Sequence, residues 1–400
     1  MSGEPGPLQT GAVSLLGSSE RRYLNDTFAA LCAIESPSLR ERACAGRVRE
    51  ELATLGIEAT EDDAGAAIGS DSGNLLARIE ADPGATEGSG GLLLCAHLDT
   101  VPLLAPVEPV VREGMWENAN EGVLGADNKA AVAMLLALAR HLRREGSPID
   151  IELLFTVGEE ISLAGARAFD VSRLRSSFGY VFDHATPIGE VIVGSPTHFR
   201  LEATFRGAAA HAGIRPEDGR SAIAAAARAI ASMRLGRIDE RTTANIGTIA
   251  GGTALNVVPE ACSIVGEVRS LDDAAAEELV AAIVDRIHEA GNEPDCDCDV
   301  DVKVERTFTG YELAPSSEPV RAAERALSAC GYQPVHATSG GGSDANALIA
   351  AGLPVVNLAN GTERNHEPGE RVSVAALEGM LDVVLALVHE VATPSVEDRR

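Results

Sequence analysis

The chain has 400 residues, of which 45% are hydrophobic and 23% charged, a balance typical of a globular protein rather than a disordered or fibrous one. Because this length exceeds what a single hydrophobic core usually organises, it predicts two domains, or one large α/β domain with an insertion. The formal net charge of −27 would repel nucleic-acid phosphates and anionic membrane surfaces, so neither is an expected partner.

The cysteines and the start of the chain bear on localisation. Seven cysteines are an odd number spread over a long chain, which argues against a disulfide framework and favours a reducing cytoplasm. Residues 1–16 have no basic region ahead of an apolar run, and no stretch approaches the roughly 18 uncharged apolar residues of a membrane span. We therefore expect a cytoplasmic protein that is neither exported nor inserted into a membrane.

Helical and apolar segments alternate along the first half of the chain. Residues 25–55 have helical spacing, and an alanine- and leucine-rich segment at 128–144 predicts a helix that ends in basic residues. Four further segments are apolar almost without interruption, as strands buried on both faces of a parallel sheet are. These segments are 91–97 (GLLLCAH), 149–157 (IDIELLFTV), 179–182 (GYVF) and 353–358 (LPVVNL). The rhythm predicts an α/β domain with a mostly parallel sheet.

The pattern changes in the middle of the chain. Residues 199–205 (FRLEATF) alternate between apolar and polar, which predicts a strand, and helices are predicted at 221–234 and 272–290. The order of elements is β-α-β-β-α-β, the ferredoxin-like motif. The segment 295–301 (DCDCDVD) is acidic, but its alternation predicts an exposed strand rather than a metal-binding tract. The predicted organisation is a catalytic domain at 1–194 and 308–400, interrupted by an inserted domain at 195–307.

Potential metal ligands lie at or just past the ends of three predicted strands, in the loop after the fourth, and at the start of a predicted helix. They are His97 and Asp99, Asp127, Glu159 and Glu160, Asp183, and His366. In open α/β sheets, ligands bind in the crevice beyond the carboxyl ends of the strands, so these side chains could converge although they are far apart in sequence. Imidazole and carboxylate groups suit zinc or manganese, and one carboxylate can bridge two ions. The combination therefore predicts a two-metal site.

Neighbouring residues in these motifs have different expected roles. The strand period of two puts His97 and Asp99 on one side, so we expect the Asp99 carboxylate to accept a ring N–H from His97. The same period sends Glu159 and Glu160 to opposite sides, so one could hold metal while the other faces the reacting water. Each motif alone also has a simpler interpretation: a loop turn, a solvated pair of glutamates, or a helix N-cap at Asp127.

Together these motifs resemble the M20 family of metallopeptidases, closest to its peptidase T-like branch. They are HLDTVP (97–102), GADNK (125–129), GEE (158–160), Asp183 after its strand, and His366 in a late loop. The resemblance implies a zinc-dependent exopeptidase-like fold with two divalent ions per subunit, zinc by expectation, with manganese or cobalt as alternatives. It implies that His97 and Asp183 hold one ion, that Glu160 and His366 hold the other, and that Asp127 bridges them.

The resemblance also implies roles in catalysis and substrate binding. Glu159 would be the general base, which takes a proton from the attacking water and returns it to the leaving amine. The inserted domain resembles the family's lid, which mediates homodimer formation. Within it, His211 would stabilise the oxyanion of the reaction intermediate. Asn256 and Arg269 would bind the polar ends of the substrate. Gly342 would belong to a glycine-rich loop whose backbone lies near a substrate carboxylate. By themselves His211 and Arg269 are also compatible with ordinary exposed positions in a sheet, and the glycine-rich loop is compatible with a flexible turn before a helix at Ala345.

Two positions depart from the family pattern. Asn128 replaces a commonly acidic residue beside Asp127, and the surroundings of His366 (NHEP) differ from the usual ones. Neither change removes a ligand, although both could alter the metal preference.

The most specific hypothesis is an aminopeptidase that releases the N-terminal residue of tripeptides. The alternative is an N-acyl amino acid deacylase or a metallocarboxypeptidase with the same two-metal site, because the fold does not fix the substrate. A metal-retaining but inactive binding protein is disfavoured by Glu159, since a site that only binds has no use for a base beside the metals.

Overall fold

A computed structural model describes residues 17–84 and 91–393, so the predictions for residues 1–16 lie outside the described part. The chain forms two compact units. We call main unit the described residues up to Val193 together with Leu313–Ser339 and those from Ser343 onward. We call inserted unit the segment Gly194–Glu312 together with Gly340–Gly342.

The first part of the chain forms five helices and eight strands in its described residues. They are α1 (Ser18–Cys32), α2 (Arg42–Thr54), β1 (Ala59–Glu61), α3 (Ala64–Ile68), β2 (Leu75–Ile79), β3 (Leu92–His97), β4 (Pro109–Arg112), β5 (Met115–Asn118), α4 (Ala126–Glu145), β6 (Ile151–Thr156), α5 (Ala164–Ala168), β7 (Phe178–His184) and β8 (Glu190–Ser195). Two helices stand where residues 25–55 showed helical spacing, because the chain turns at Pro37, which disfavours helical backbone at the residue before it. The strands predicted at 91–97, 149–157 and 179–182 are confirmed as β3, β6 and β7.

The inserted unit contains β9 (Thr197–Arg206), α6 (Ala222–Ser232), β10 (Gly236–Arg237), β11 (Thr242–Gly251), β12 (Ala261–Ser270), α7 (Asp273–Gly291) and β13 (Asp299–Phe308). Its antiparallel sheet has the order β10-β11-β12-β9-β13, in which the four long strands follow the ferredoxin-like arrangement. The strand predicted at 295–301 begins only at Asp299. The residues before it form a turn in which Cys296 and Cys298 are buried, so the exposed-strand prediction is wrong there.

The chain continues with β14 (Tyr311–Glu312), α8 (Glu318–Ala329), β15 (Val335–Thr338), α9 (Asp344–Ala350), β16 (Val355–Ala359), β17 (Thr362–Glu363), β18 (Arg371–Ser373) and α10 (Val374–Ala392). The inserted unit ends at Glu312, whereas the sequence predicted a boundary at 307. The difference arises because β13 runs to Phe308 and the two residues of β14 pair with Gly194 and Ser195, which also belong to the inserted unit.

The central sheet of the main unit positions the ends of its strands. Its order is β1-β2-β6-β3-β7-β16-β8, with β15 also paired to β8. The four middle strands β6, β3, β7 and β16 are parallel to one another, and the outer pairs β1/β2, β2/β6 and β16/β8 are antiparallel. The sheet is therefore mixed, with the predicted parallel arrangement at its centre. Because the middle strands run the same way, their carboxyl ends meet at one edge.

Helix α4 explains the alanine-rich stretch of the sequence. It packs in the core of the main unit, where residues such as Ala131, Met134, Leu135 and Leu138 are fully buried. Small side chains let this helix lie close to its neighbours in a tightly packed interior. Among the helices that the structure describes, none combines the length and the apolar character needed to cross a bilayer.

Candidate metal centre and active site

The first group of potential ligands comes from three elements of the main unit. His97 is the last residue of β3, Asp183 lies near the end of β7, and Asp127 lies in the first turn of α4. The Nε2 atom of His97 is 3.3 Å from Oδ1 of Asp127 and 3.7 Å from Oδ1 of Asp183. The other ring nitrogen, Nδ1, is 3.0 Å from the backbone oxygen of Asp99. A hydrogen bond from Nδ1 leaves Nε2 free to act as a ligand.

The second group shares Asp127 with the first. The Nε2 atom of His366 is 3.2 Å from Oδ2 of Asp127 and 2.9 Å from Oε1 of Glu160. Asp127 therefore turns one carboxylate oxygen to each histidine, and ligand atoms lie within 4.8 Å of one another in each of the two groups. Because its carboxylate oxygens face His97 and His366, Asp127 has a role beyond that of a helix cap at the start of α4.

The charges of the cluster fit divalent cations. The side chains of Asp127, Glu160 and Asp183 are 8–9% exposed. Within the described ranges, their ion pairs are with His97 and His366 alone. Burial raises the pKa of Asp183 to about 8, and the negative charge of Asp127 beside it contributes to the same shift. Burying several carboxylates without enough positive charge is costly, and metal ions would supply that charge.

The histidines respond to the same carboxylates. Hydrogen bonds that its ring donates to the carboxylates of Asp127 and Glu160 raise the pKa of His366 to about 10, because the ring lies between two negative groups. Burial alone would lower the pKa of His97, but contacts with Asp127, Asp183 and Asp99 raise it well above its usual range. Without a metal ion these rings therefore favour the protonated form. A bound cation would take the place of the protons, so metal binding and proton release are coupled here.

Glu159 lies beside the cluster, three residues after the end of β6. It is buried, and burial together with the negative charge of Asp183 raises its pKa well above the usual range. It also lies within ligand distance of His97 and Glu160. A carboxylate held next to the metal ligands and shielded from bulk water has the position that a general base requires.

Asp99 contacts the cluster differently from the prediction. The closest acceptor to Nδ1 of His97 is the backbone oxygen of Asp99, whereas the Asp99 carboxylate oxygen lies 3.4 Å away. That carboxylate accepts hydrogen bonds from the backbone N–H groups of Glu159 (3.0 Å) and Glu160 (3.1 Å), and from Oγ of Ser38 (2.7 Å). Asp99 thus fixes the histidine through its main chain and fixes the two glutamates through its side chain.

A second buried carboxylate, which the sequence analysis missed, holds the same segment. Glu41 is fully buried, and its Oε1 accepts a hydrogen bond from the backbone N–H of Gly158 at 3.0 Å. Its Oε2 accepts a hydrogen bond from Oγ of Ser70 at 2.7 Å. The backbone N–H groups at 158, 159 and 160 are therefore all held by carboxylates from outside the segment, which fixes the direction of the Glu159 side chain.

The structure gives a reason for the unusual Asn128. Its Nδ2 atom donates to the backbone oxygen of Phe182 at 2.8 Å and to Oδ1 of Asp183 at 2.9 Å. An ionised carboxylate at this position could not donate these hydrogen bonds. Asn128 therefore orients Asp183, a role that the departure from the family pattern signalled but did not identify.

The predicted substrate-binding residues fall into two groups inside the inserted unit. Arg269 donates from Nε and Nη2 to the two carboxylate oxygens of Glu267, at 3.2 and 3.1 Å, and from Nη1 to the backbone oxygen of Gly340 at 3.1 Å. In the same loop, a Cβ atom at Gly342 would lie 2.6 Å from the ring of Phe308, so the position has no room for a side chain. Arg269 and the glycine-rich loop are thus brought together.

The second group contains His211 and Asn256. Both residues are exposed, and the backbone N–H of Ala212 donates to the backbone oxygen of Asn256 at 3.0 Å. A bridge between His211 and Val257 continues this pairing. The two predicted residues therefore lie on adjoining loops of the inserted unit, with polar side chains open to a ligand.

Comparison with known proteins agrees with this arrangement. Residues 193–294 match the peptidase dimerisation domain, and residues 74–213 match peptidase family M28. The chain is 36% identical to an aminopeptidase PepT from Bacillus cereus, whose crystal structure it matches with a TM-score of 0.84 over 93% of this chain and 99% of that one. It is 31% identical to a tripeptidase from Staphylococcus aureus, with a TM-score of 0.87 over 93% and 98% of the two chains.

Curated relatives give a consistent but broader result. The protein YqjE of Bacillus subtilis is 35% identical over 94% of this chain and 99% of its own length. A probable carboxypeptidase of Paracoccidioides brasiliensis is 32% identical over 71% of this chain and 70% of its own length.

The fold and the histidine–carboxylate cluster define a metallopeptidase. The chain belongs to the M20 family of metallopeptidases, in its peptidase T-like branch.

Proposed function

We propose that this protein is an aminopeptidase that releases the N-terminal residue of tripeptides, with two divalent metal ions, zinc by preference, in the main unit. The observation that carries the proposal is Asp127, which turns one carboxylate oxygen to each of two ligand groups. In this assignment His97 and Asp183 complete one metal site, and Glu160 and His366 complete the other. The likeness to an aminopeptidase and a tripeptidase supports the choice of substrate.

The chemistry divides between the ions and the protein. When bound, the ions would act as Lewis acids that polarise the scissile carbonyl and the attacking water. Glu159 takes the proton of that water and returns it to the leaving amine, a contribution typically of about 10²–10⁴-fold. Asp99 and Glu41 hold the backbone around Glu159, so the base needs no reorganisation during the reaction.

The inserted unit supplies the proposed substrate contacts. Arg269 would receive the free carboxylate of the peptide, because its planar guanidinium can donate two parallel hydrogen bonds. His211 would stabilise the oxyanion, and Asn256 and the loop at Gly342 would fix the polar ends of the peptide. The match to a dimerisation domain supports a homodimer formed through this unit. The seven free cysteines support a reducing cytoplasm as the place of the reaction.

A substrate panel tests the proposal. Metal-free protein is loaded with zinc or manganese and offered unblocked tripeptides, N-acetylated tripeptides, dipeptides and N-acyl amino acids, and the products are identified by mass spectrometry. We expect release of the N-terminal residue from unblocked tripeptides alone. Cleavage confined to acylated substrates, or removal of the C-terminal residue, would contradict the aminopeptidase assignment.

The alternative function is that of an N-acyl amino acid deacylase or a metallocarboxypeptidase. Arg269 would serve a free carboxylate in any of these substrates, so it is compatible with the alternative as well. The similarity to a probable carboxypeptidase points the same way. The two-metal mechanism and the role of Glu159 would be unchanged, so the panel decides between the functions without affecting the metal assignment.

Arg269 provides a more specific prediction. Replacing Arg269 with lysine keeps the charge but loses the bidentate geometry, and we expect KM for an unblocked tripeptide to rise about 10- to 100-fold, since a hydrogen bond to a charged group is worth roughly 1.5–3 kcal/mol. The same tripeptide with a C-terminal amide is the control substrate, for which KM should change little. An equal rise for both substrates would show that Arg269 does not bind the carboxylate.

Glu267 provides the matched variant for this test. In the free protein, the Glu267 carboxylate accepts hydrogen bonds from Nε and Nη2 of Arg269. A substrate carboxylate would use the same pair of donors. Replacing Glu267 with glutamine should therefore lower KM for the unblocked tripeptide, because a neutral amide competes less strongly for the guanidinium. Opposite changes in KM for the two variants would identify Arg269 as the carboxylate-binding residue.

A further inference from the structure

Glu370 is a buried acidic residue for which the reaction has no direct use. It is 1% exposed, and it follows His366 by four positions in the loop between β17 and β18. Its Oε2 atom accepts hydrogen bonds from the backbone N–H groups of Leu124 (2.8 Å) and Gly125 (2.7 Å). Its Oε1 atom accepts a hydrogen bond from the backbone N–H of Asp127 at 2.8 Å. One carboxylate therefore satisfies three backbone donors of the segment that carries Asp127.

This segment needs an external partner. Gly125 has a left-handed backbone, with φ of 76°, and the backbone at Asp127 is not helical although it lies at the start of α4. The N–H groups at the start of a helix have no partner within the helix, and a negative charge there is favoured by the helix dipole. Glu370 meets both requirements, and it does so at the residue that faces both ligand groups.

The loop of Glu370 contacts Asp127 twice. His366 lies 3.2 Å from the Asp127 carboxylate, and Glu370 holds the Asp127 backbone. His366 also has a left-handed backbone, with φ of 67°, and its side chain is 51% exposed, so few contacts other than those with Asp127 and Glu160 fix its ring. A residue that binds the Asp127 segment from the same loop therefore also sets the separation between His366 and Asp127.

We propose that Glu370 is a positioning residue that fixes Asp127 relative to His366 and thereby sets the affinity of the Asp127–Glu160–His366 metal site. The proposal rests on the proposed function, in which Asp127 bridges two ions. Loss of the Glu370 carboxylate should weaken this site more than the His97–Asp127–Asp183 site, because His97 and Asp183 project from two adjacent strands of the central sheet and do not depend on the loop.

The test uses Glu370→Gln in the full chain. Glutamine has nearly the same volume, but its amide nitrogen cannot accept a hydrogen bond, so at least one of the three backbone donors loses its partner. We expect the zinc affinity of the Asp127–Glu160–His366 site to fall about 10- to 100-fold, the usual effect of losing an outer-shell partner, so that one of the two ions binds only at higher free zinc. The measurement is the zinc content of each chain by mass spectrometry after equilibrium dialysis at a series of buffered free zinc concentrations.

Glu152 offers a matched control. It is 2% exposed and accepts hydrogen bonds from the backbone N–H groups of Arg175 and Ser176, both at 2.8 Å. It lies near the amino end of β6, whereas His97 and Asp183 lie at the carboxyl ends of β3 and β7. Glu152→Gln should therefore bind two ions as the unchanged protein does. An equal loss of zinc in both variants would overturn the proposal, because general destabilisation would then explain it.

Hydrogen exchange provides a second readout without metal. In the metal-free protein, at least one of the amides of Leu124, Gly125 and Asp127 should exchange about tenfold or more faster in Glu370→Gln than in Glu152→Gln, since glutamine keeps only one of the two acceptor oxygens. If Glu370→Gln does not fold, Glu370→Asp withdraws the carboxylate by one methylene and should weaken the same site. Unchanged zinc affinity at both sites in the variant that folds would overturn the proposal.

The outcomes separate this proposal from the proposed function. If the unchanged protein binds two ions and Glu370→Gln binds one of them about 10- to 100-fold more weakly, the positioning role stands even where no tripeptide is cleaved. If the unchanged protein binds only one ion, both the bridging role of Asp127 and the positioning role of Glu370 are contradicted.

Discussion

Replacing Glu159 with glutamine should lower kcat for an unblocked tripeptide about 10²–10⁴-fold, while the zinc content stays at two ions per chain. Glutamine keeps the shape of the side chain in this buried position but cannot take up a proton. Because the Glu159 carboxylate lies within ligand distance of His97 and Glu160, the metal content has to be measured together with the rate. The experiment is steady-state kinetics at saturating zinc, with metal analysis of the same samples.

Glu152→Gln is the control for this variant as well. Glu152 lies on β6, the strand that Glu159 follows, so both substitutions remove a buried carboxylate from the same part of the sheet. Only Glu159→Gln should reduce turnover. Loss of zinc in Glu159→Gln would instead assign Glu159 as a ligand, and turnover equal to that of the unchanged protein would contradict its role as the base.

Replacing Asp127 with alanine should remove both ions, because its two carboxylate oxygens face different ligand groups. We expect the affinity at each site to fall by more than the roughly 10- to 100-fold that an outer-shell change costs, and hydrolysis to become undetectable. The loss should also appear in stability. Zinc at 100 times its dissociation constant raises the free energy of unfolding by about 2.7 kcal/mol per site, and this increase should be absent in Asp127→Ala.

His366→Ala provides the contrast. It removes a ligand from one group only, so it should retain one ion and about half of the zinc-dependent stabilisation of the unchanged protein. Thermal or urea unfolding with and without zinc measures both variants. If Asp127→Ala and His366→Ala lost the same number of ions, Asp127 would not bridge the two sites, and the assignment of the ligands would have to change.

The network around the cluster has a common design. Asp99, Glu41 and Glu370 are buried carboxylates that accept hydrogen bonds from backbone N–H groups beside Glu159, Glu160 and Asp127. Hydrogen bonds of this kind are stronger than neutral ones when the accepting carboxylate is ionised. The side chains that are proposed to react or to bind metal therefore belong to main-chain segments whose N–H groups are hydrogen-bonded to other parts of the chain. Such bonds keep a site in its active geometry before the substrate binds.

The sequence by itself determined the class of fold and most of the cluster. Continuous apolar runs predicted β3, β6 and β7 because a strand buried on both faces has no polar side. Potential metal ligands at or just past the ends of such runs predicted a shared site, because parallel strands end at one edge of a sheet. The structure brings the five predicted ligands together in two groups, which are His97, Asp127, Asp183 and Asp127, Glu160, His366.

Only the tertiary structure decided how these residues are held. The acceptor for Nδ1 of His97 is a backbone oxygen, and the Asp99 carboxylate serves the two glutamates instead. Glu41 is 117 positions from Gly158, and Glu370 is 246 positions from Leu124. Such partners leave no pattern in the sequence, because the donor is a main-chain N–H that every residue except proline possesses. Which N–H meets which carboxylate depends on how the loops pack, and only the folded chain determines that.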